Sequence, residues 1–152
     1  MITIRLICVG NLKEKFWTDA CNEYIKRLGR FCKIEIIEVA EENKQGQIQK
    51  IKLEEGKHIL EKLEGKVYLL DIGGREFSSE ELALQIKNDM LKASTLTFII
   101  GGSYGVSDEV KKIAQNKLSF GRATYPHNLA RVILLEQLYR AFMINNGSPY
   151  HK

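Results

Sequence analysis

The stretch TFIIGGSYGVSDEV (residues 97–110), followed by LSFGRATYPHNLARVILLEQLYR (residues 118–140), decides how this chain folds. The predicted elements are a strand at 97–100, a glycine-rich turn, a helix, a strand around 118–120, a loop ending at Pro126 and a long apolar helix. Open α/β sheets hold ligands in the loops that leave the ends of their strands. The stretch has no Gly-x-Gly-x-x-Gly and no phosphate-loop lysine motif, so the pattern predicts a site without naming its ligand.

Strands and helices alternate along the rest of the chain. The run ITIRLICV (2–9) is rich in β-branched residues, KIEIIEV (33–39) alternates, and VYLLDI (67–72) is continuously apolar, as in a strand buried on both faces. Helices are also predicted at 13–28, at 48–63 and after Ser78, whose capping-box partner is Glu81, and Gly73-Gly74 is predicted to turn the chain. The alternation predicts one α/β domain over residues 1–152, with a mainly parallel sheet flanked by helices.

The last predicted helix, from about Pro126 to Ile144, is apolar on nearly every side. A small sheet covers only one side of such a helix, so a second copy of the chain is a natural partner, and a central core helix is the alternative. Glu136 and Arg140 stand four residues apart and can pair with each other. Arg131 has no partner at that spacing, which leaves phosphate binding and an interface role open.

Composition and charge limit the classes to which the protein can belong. The 152 residues carry 23 basic and 19 acidic side chains, and the resulting net charge of +4 permits a polyanionic partner without requiring one. Cys8, Cys21 and Cys32 form no CxxC pattern, so we expect neither a disulfide framework nor a metal site, and Cys8 is predicted to be a buried small hydrophobe. No apolar run approaches ~18 residues, and the first residues are typical of a strand and not of a signal peptide. We therefore expect a cytoplasmic protein without a membrane span.

Several motifs follow one another in a characteristic order: VGNLKEKFW near the start, IIGGSYG, LSF with TYPH, EQLYRAF and the terminal YHK. In this order and spacing they resemble the SPOUT-class ribosomal RNA large subunit methyltransferase H family, over essentially the whole chain. The resemblance implies transfer of a methyl group from S-adenosylmethionine to N3 of a pseudouridine in 23S ribosomal RNA, in the helix 69 region of assembled ribosomes. It also implies a SPOUT-type fold with a C-terminal trefoil knot, and a homodimer whose interface includes the last helix.

The resemblance also implies a cofactor site. In the family, the loop that matches LSFGRATYP wraps the cofactor, together with the end of the VYLLDI strand and the glycine turn. The implied cofactor-binding residues are Leu70, Gly101, Gly102, Phe120, Gly121, Arg122, Ala123, Thr124 and Tyr125. From the residues alone, Gly101, Gly102 and Gly105 could equally form a tight turn between a strand and a helix, with Ser107 as the cap of that helix.

The implied reaction directs attention to polar side chains in the last part of the chain. The imide nitrogen of pseudouridine must lose its proton before it attacks well, and a histidine is the natural base near neutral pH. His151 and His127 are both candidates, and the sequence does not distinguish them. Arg131 or Lys152 could stabilise the resulting anion, while Tyr150 could stack on the target base. The candidate catalytic residues are thus His151, Tyr150, His127 and Arg131.

Three further interpretations remain open at this point. A basic cluster near the first helix could contact phosphates or could be a solvated face; its members are Lys13, Lys15, Lys26, Arg27 and Arg30. The polar segment 41–47 is predicted to be a mobile loop. The chain could also be a SPOUT enzyme with a different RNA target, or a non-catalytic α/β module that binds nucleotides or RNA.

Overall fold

Parallel strands form the centre of the molecule. The computed structural model describes residues 1–43 and 47–150. The elements are β1 (Thr3–Val9), α1 (Lys15–Leu28), β2 (Lys33–Val39), α2 (Ile48–Leu60), β3 (Lys66–Glu76), α3 (Ser79–Met90), β4 (Thr95–Ile100), α4 (Asp108–Ile113), β5 (Asn116–Ser119) and α5 (His127–Asn145). Within the described residues, the sheet has the order β2-β1-β4-β3-β5, and every neighbouring pair is parallel. The predicted α/β architecture is confirmed. Residues 44–46 of the segment predicted to be mobile lie outside the described residues.

Two apolar layers cover the two faces of this sheet. On one face, α1, α3 and α5 pack on buried strand residues such as Leu6 and Phe98. On the other face, α2 and α4 pack on residues such as Ile7 and Leu69. Successive strand residues point to opposite faces, which is why Leu6 and Ile7 belong to different layers. Every residue of β4 is buried, as expected of a central parallel strand that is covered on both sides.

Local signals in the sequence set the starts of α3 and α4. Ser78 and Glu81 form the predicted capping box of α3, with hydrogen bonds of 2.8 and 3.1 Å between side chain and backbone. At the start of α4, the Ser107 hydroxyl accepts from the backbone N–H of Val110, which confirms its predicted capping role. Pro126 is the N-cap of α5 and not its first helical residue, so the predicted start was one residue early.

Two helices are shorter than predicted. α1 begins at Lys15 and not at residue 13, and α2 ends at Leu60 and not at residue 63. Beyond α2, the N–H of Lys62 donates to the carbonyl of Ile59 at 3.0 Å, a bond that spans three residues and tightens the last turn. Gly65, with a φ of +67°, then directs the chain into β3. The glycine was correctly predicted as the end of the segment, but the helix itself stops earlier.

The prediction that Gly73 and Gly74 turn the chain is wrong, because β3 continues through both residues. The pairing of β3 with β5 is interrupted there, since Leu70 and Arg75 both lie opposite Leu118. The four residues between Leu70 and Arg75 therefore form a bulge in the strand, which bends the chain without reversing it.

The bulge explains why glycine occupies these positions. The Asp71 Oδ1 atom accepts a hydrogen bond from the N–H of Gly73 at 3.0 Å, which stabilises the local conformation. At Gly74, an added Cβ would lie 2.6 Å from the carbonyl carbon and oxygen of Lys117 on β5. Gly74 thus permits a close approach between two backbones, which is the other common reason for a glycine inside a strand.

A buried carboxylate connects α3 to the sheet. Asp89 is 4% exposed and accepts hydrogen bonds from the hydroxyl of Tyr68 and from Gln85 Nε2, the latter at 3.1 Å. Burial, followed by the bond to Asp89, raises the pKa of Tyr68, so its hydroxyl remains a donor. The ring of Tyr68 stacks on Phe98 with 4.5 Å between centroids. These bonds satisfy the polar groups inside an apolar layer.

The cysteines are buried and form no disulfide. Burial raises the pKa of Cys8 and of Cys32 to about 12, so both side chains remain thiols at neutral pH. The prediction of Cys8 as a buried small hydrophobe is confirmed. Among the described residues, no helix is both long and apolar enough to cross a membrane. Over the same ranges, no three His, Cys, Asp or Glu side chains are grouped so that they could hold a metal ion.

We expect Gly74→Ala to lower the free energy of unfolding by about 1–3 kcal/mol, because the new methyl group collides with the backbone of Lys117 and displaces β5 from β3. Gly73→Ala is the matched control, since a Cβ at that position meets only Asp71 Oδ1, at an ordinary distance of 3.6 Å. Urea unfolding of both variants measures the difference. Equal stability of the two variants would contradict the close packing of β3 on β5.

Candidate functional site

A cavity of about 450 Å³ opens at the carboxyl edge of the sheet, where the neighbouring strands β4, β3 and β5 end. Three stretches of chain line it: residues 69–72 at β3, residues 100–106 after β4, and the segment from residue 118 to the first turn of α5. This is the edge at which the sequence predicts a ligand site. The volume is that of a site for a cofactor-sized molecule.

The residues predicted to bind the cofactor converge on this cavity. Those that line it are Leu70, Gly101, Gly102, Phe120, Gly121, Ala123, Thr124 and Tyr125. Arg122 is exposed and is not part of the lining. The structure thus brings together residues that are far apart in the sequence, and their contact with a ligand remains a prediction.

The stretch that follows β4, residues 101–105, forms a wall of the cavity that we call the glycine wall. A Cβ on Gly101 would lie 2.8 Å from Val106 Cγ1, and a Cβ on Gly102 would lie 3.0 Å from Glu55 Oε1. The N–H of Gly105 donates to the carbonyl of Gly102 at 3.0 Å and closes a tight turn, in which Gly105 has a φ of +81°. There is no room for a side chain at Gly101 or Gly102, so backbone atoms there can approach a ligand closely.

Ser119 connects two of the lining segments and was not singled out by the sequence. It is 4% exposed, and its hydroxyl lies 3.0 Å from the carbonyl oxygen of Ile72 on β3. The same hydroxyl accepts from the N–H of Gly121 at 3.1 Å. Ser119 therefore holds the loop after β5 against the bulge of β3. Its position within the strand predicted around 118–120 gave no indication of this role.

Among the described residues, Asp71, Lys111 and His127 bring charged or basic groups to a lining that is otherwise apolar or neutral. Asp71 follows Leu70 in the bulge of β3, and Lys111 lies in the last turn of α4. Only His127 was among the residues predicted for the site. Asp71 could have been suspected from its place beside Leu70, whereas nothing in the spacing of Lys111 indicated that α4 would turn it toward the cavity.

Arg131 is buried and paired, outside the cavity lining. Its Nη1 donates to Glu38 Oε2 at 2.9 Å, and its Nη2 donates to the carbonyl of Gly10 at 3.4 Å. Arg131 is only 3% exposed. Because Glu38 lies on β2, helix spacing could not reveal this partner. Gly10 also packs beside His127, as a Cβ on Gly10 would lie 3.5 Å from His127 Cε1. Arg131 therefore holds the start of α5 against the ends of β1 and β2.

Tyr150 packs on the second half of α5 and not at the cavity of its own chain. Its hydroxyl donates to Glu136 Oε2 at 2.9 Å, and its ring meets Tyr139 edge-on at 5.0 Å. Arg140 lies over the Tyr150 ring and forms the predicted ion pair with Glu136 at 2.9 Å. Glu136 is nine residues beyond His127, or about 13 Å along the helix. His151, a predicted catalytic residue, and Lys152 lie outside the described residues.

The predicted basic cluster on and around α1 is partly neutralised by acidic residues of the same helix. Lys15 pairs with Asp19 at 2.6 Å, and Arg27 forms the predicted pair with Glu23 at 3.2 Å. Arg30 packs over an aromatic ring of its neighbour and donates to the sulfur of Met143. For Lys15 and Arg27 this pairing favours the solvated-face interpretation over a dedicated phosphate site.

Comparison with known proteins places the chain among methyltransferases. The sequence model of the family described as "Predicted SPOUT methyltransferase" matches residues 2–151. A protein of Lactobacillus delbrueckii subsp. bulgaricus named "Ribosomal RNA large subunit methyltransferase H" is 49% identical, and the alignment covers 99% of this chain and 100% of that protein. A protein of the same name from Lactobacillus acidophilus is 48% identical over the same shares.

A solved structure supports the fold independently of close sequence similarity. It is a protein from Legionella pneumophila, described as a methyltransferase and determined with bound SAM. The two structures superimpose with a TM-score of 0.52 at 13% sequence identity, covering 93% of this chain and 66% of the other. At this level of identity the similarity concerns the arrangement of strands and helices alone.

Proposed function

The chain belongs to the SPOUT methyltransferase family, and on that premise we propose that it transfers a methyl group from S-adenosylmethionine to large-subunit ribosomal RNA. The observation that carries the proposal is the full-length match, at 49% identity, to a relative named for this activity. The cavity at the carboxyl edge of the sheet supports it, because all the residues predicted to bind the cofactor except Arg122 line that cavity.

The residues of the cavity fit S-adenosylmethionine. Leu70, Ile100 and Leu118 offer apolar surface for the adenine, and the glycine wall offers backbone groups for the ribose. Asp71 and Lys111 carry opposite charges, which suits a ligand with both an amino and a carboxylate group. When bound, the cofactor supplies an electrophilic methyl group on a positively charged sulfur.

The contribution of the chain to the reaction is to bind and align. Because a direct displacement needs the nucleophile in line with the methyl group, rigid placement accounts for much of the acceleration. His127 lines the cavity at the start of α5, which suits a base that removes the imide proton of the target. His151 is the second candidate base, and Tyr150 is proposed to stack on the target base.

The finer part of the proposal concerns the substrate. By resemblance to the family, the target is N3 of a pseudouridine in the helix 69 region of 23S ribosomal RNA, within the assembled ribosome. We propose that the protein surface around the cavity contacts this target. The assembled particle can supply shape and charge that free RNA does not.

The proposal includes a homodimer and a C-terminal trefoil knot. On α5, the apolar residues Leu129, Val132 and Ile133 are only partly buried by their own chain, which suits a second copy as their cover. Tyr150 packs away from the cavity of its own chain, so we infer that the tail completes the cavity of the partner. The knot is proposed from the family resemblance and is compatible with the convergence of three lining segments.

The first test uses labelled S-adenosylmethionine with ribosomes from a strain that lacks the modification. We expect label on one pseudouridine of 23S ribosomal RNA in assembled ribosomes, and none on the free RNA. Mapping the methylated nucleotide identifies the target. Transfer to a different nucleotide would overturn the proposed target, and absence of transfer to both substrates would overturn the proposed function.

We expect His127→Ala or His151→Ala, whichever removes the general base, to slow single-turnover methylation by about 10²–10⁴-fold, because the imide proton then has no acceptor. His58→Ala is the matched control, since His58 is exposed on α2 and does not line the cavity. Measurements at saturating cofactor separate the transfer step from binding. Wild-type rates in both single variants would exclude a histidine base.

Mixed subunits test whether the tail acts across the dimer. One chain carries His127→Ala with an intact tail, and the other ends at Ser148 with an intact cavity. If His127 is the base, each homodimer should be inactive. An equal mixture should then recover about a quarter of wild-type activity, because half of the dimers contain one complete site. If His127→Ala leaves the activity unchanged, Gly101→Trp is used in its place to inactivate the cavity of that chain. Failure to recover activity in dimers shown to exchange subunits would contradict the proposed shared site.

A further inference from the structure

Behind the glycine wall lies a buried carboxylate that the proposed reaction does not use. Glu55, on α2, is 3% exposed. Its Oε2 accepts a hydrogen bond from the backbone N–H of Glu42 at 3.0 Å. Its Oε1 packs against Gly102, where an added Cβ would lie only 3.0 Å away. Glu55 therefore touches the back of the wall and the segment that follows β2 at the same time.

Two further contacts hold Ser103 of the wall and Ser107, which follows the wall. Gly56, the next residue of α2, approaches Ser107 so closely that a Cβ on Gly56 would lie 2.6 Å from Ser107 Oγ. Ser103, at the tip of the turn, donates its hydroxyl to Glu41 Oε1 at 3.3 Å. The stretch 102–107 is thus supported by α2 at both ends and by the segment after β2 in the middle.

Burial at this position destabilises the ionised form of a carboxylate. Burial raises the pKa of Glu55, the N–H of Glu42 opposes that rise, and the charges of Glu41 and Glu42 add to it. A polar group in such a place is destabilising unless its hydrogen bonds are made. An apolar side chain could fill the volume but could not accept from Glu42. Glu55 therefore contributes through its hydrogen bond to Glu42, which connects α2 to the segment after β2.

We propose that Glu55 is a positioning residue for cofactor binding, which fixes the glycine wall by connecting Gly102 to the segment after β2. The inference rests on the proposed function in one respect, namely that the cavity binds S-adenosylmethionine. Glu55 lies behind the wall and does not line the cavity, so it acts through Gly102. Its removal should change the affinity for the cofactor and leave the transfer step nearly unchanged.

The test compares two substitutions of the same residue. Glu55→Ala removes both contacts, and we expect the Kd for S-adenosylmethionine to rise about tenfold, with kcat at saturating cofactor within about twofold of wild type. Glu55→Gln keeps an oxygen that can accept from Glu42, and we expect its Kd to stay within about threefold of wild type. Calorimetric titration gives Kd, and steady-state kinetics give kcat and KM.

Asp89→Ala separates positioning from general loss of stability. Asp89 is a similarly buried carboxylate, but it packs with α3 on the opposite face of the sheet and does not line the cavity. We expect this variant to lose stability while its Kd stays near wild type. A wild-type Kd in Glu55→Ala, or an equal rise in Asp89→Ala, would overturn the inference.

Hydrogen exchange of the ligand-free protein gives a readout that does not depend on the cofactor. The amides of residues 102–107 should exchange faster in Glu55→Ala than in wild type, and Glu55→Gln should restore slow exchange. Unchanged exchange in Glu55→Ala would overturn the role of Glu55 even if the wild-type protein failed to bind S-adenosylmethionine. Failure of wild-type binding alone would instead overturn the proposed function.

Discussion

At the carboxyl edge of the sheet, the backbone at several glycines packs directly against atoms of neighbouring residues. The candidate site depends on this close approach. At Gly101 and Gly102 the space behind the chain is filled by Val106 and Glu55, and at Gly74 it is filled by the backbone of β5. Glycine at an interior strand position costs roughly 0.5–1 kcal/mol relative to alanine. Glycine is nevertheless required at these positions, because only bare backbone allows such close approaches.

Buried polar side chains then fix the segments that the strands deliver to this edge. Ser119 connects the loop after β5 to β3, Arg131 connects the start of α5 to β2, and Glu55 connects α2 to the segment after β2. Each bond joins different elements of the fold, and its net contribution to stability is about 0.5–1.5 kcal/mol between neutral groups and about 1.5–3 kcal/mol where a group is charged. Leaving such a group unpaired is more costly, so these bonds select one arrangement of the loops over its competitors.

Features that depend on neighbouring residues could be predicted from the sequence. The bounds of β2 agree with the alternating run at 33–39, and the capping box at Ser78 follows from residues three apart. The glycine pair in β3 was misread because a turn and a close backbone approach require the same residue type. The pairing of Arg131 with β2 and the position of Lys111 depend on how elements pack, which local spacing does not contain. The candidate cofactor residues were named by family resemblance, since the strand and helix pattern indicated only an edge.

The helix α5 places a geometric limit on how the site can be completed. Its first residue, His127, lines the cavity, its buried part carries Arg131, and its second half binds Tyr150 through Glu136. A helix is a rigid spacer, so the anchor of the tail stays about 13 Å from the start of the helix. A two-fold axis perpendicular to α5 would make the two copies of the helix antiparallel and so bring the tail of each chain toward the cavity of its partner. The partly buried apolar residues of α5 offer a surface for such a contact. The helix that separates the tail from the cavity of its own chain could therefore also join the tail to the cavity of the partner.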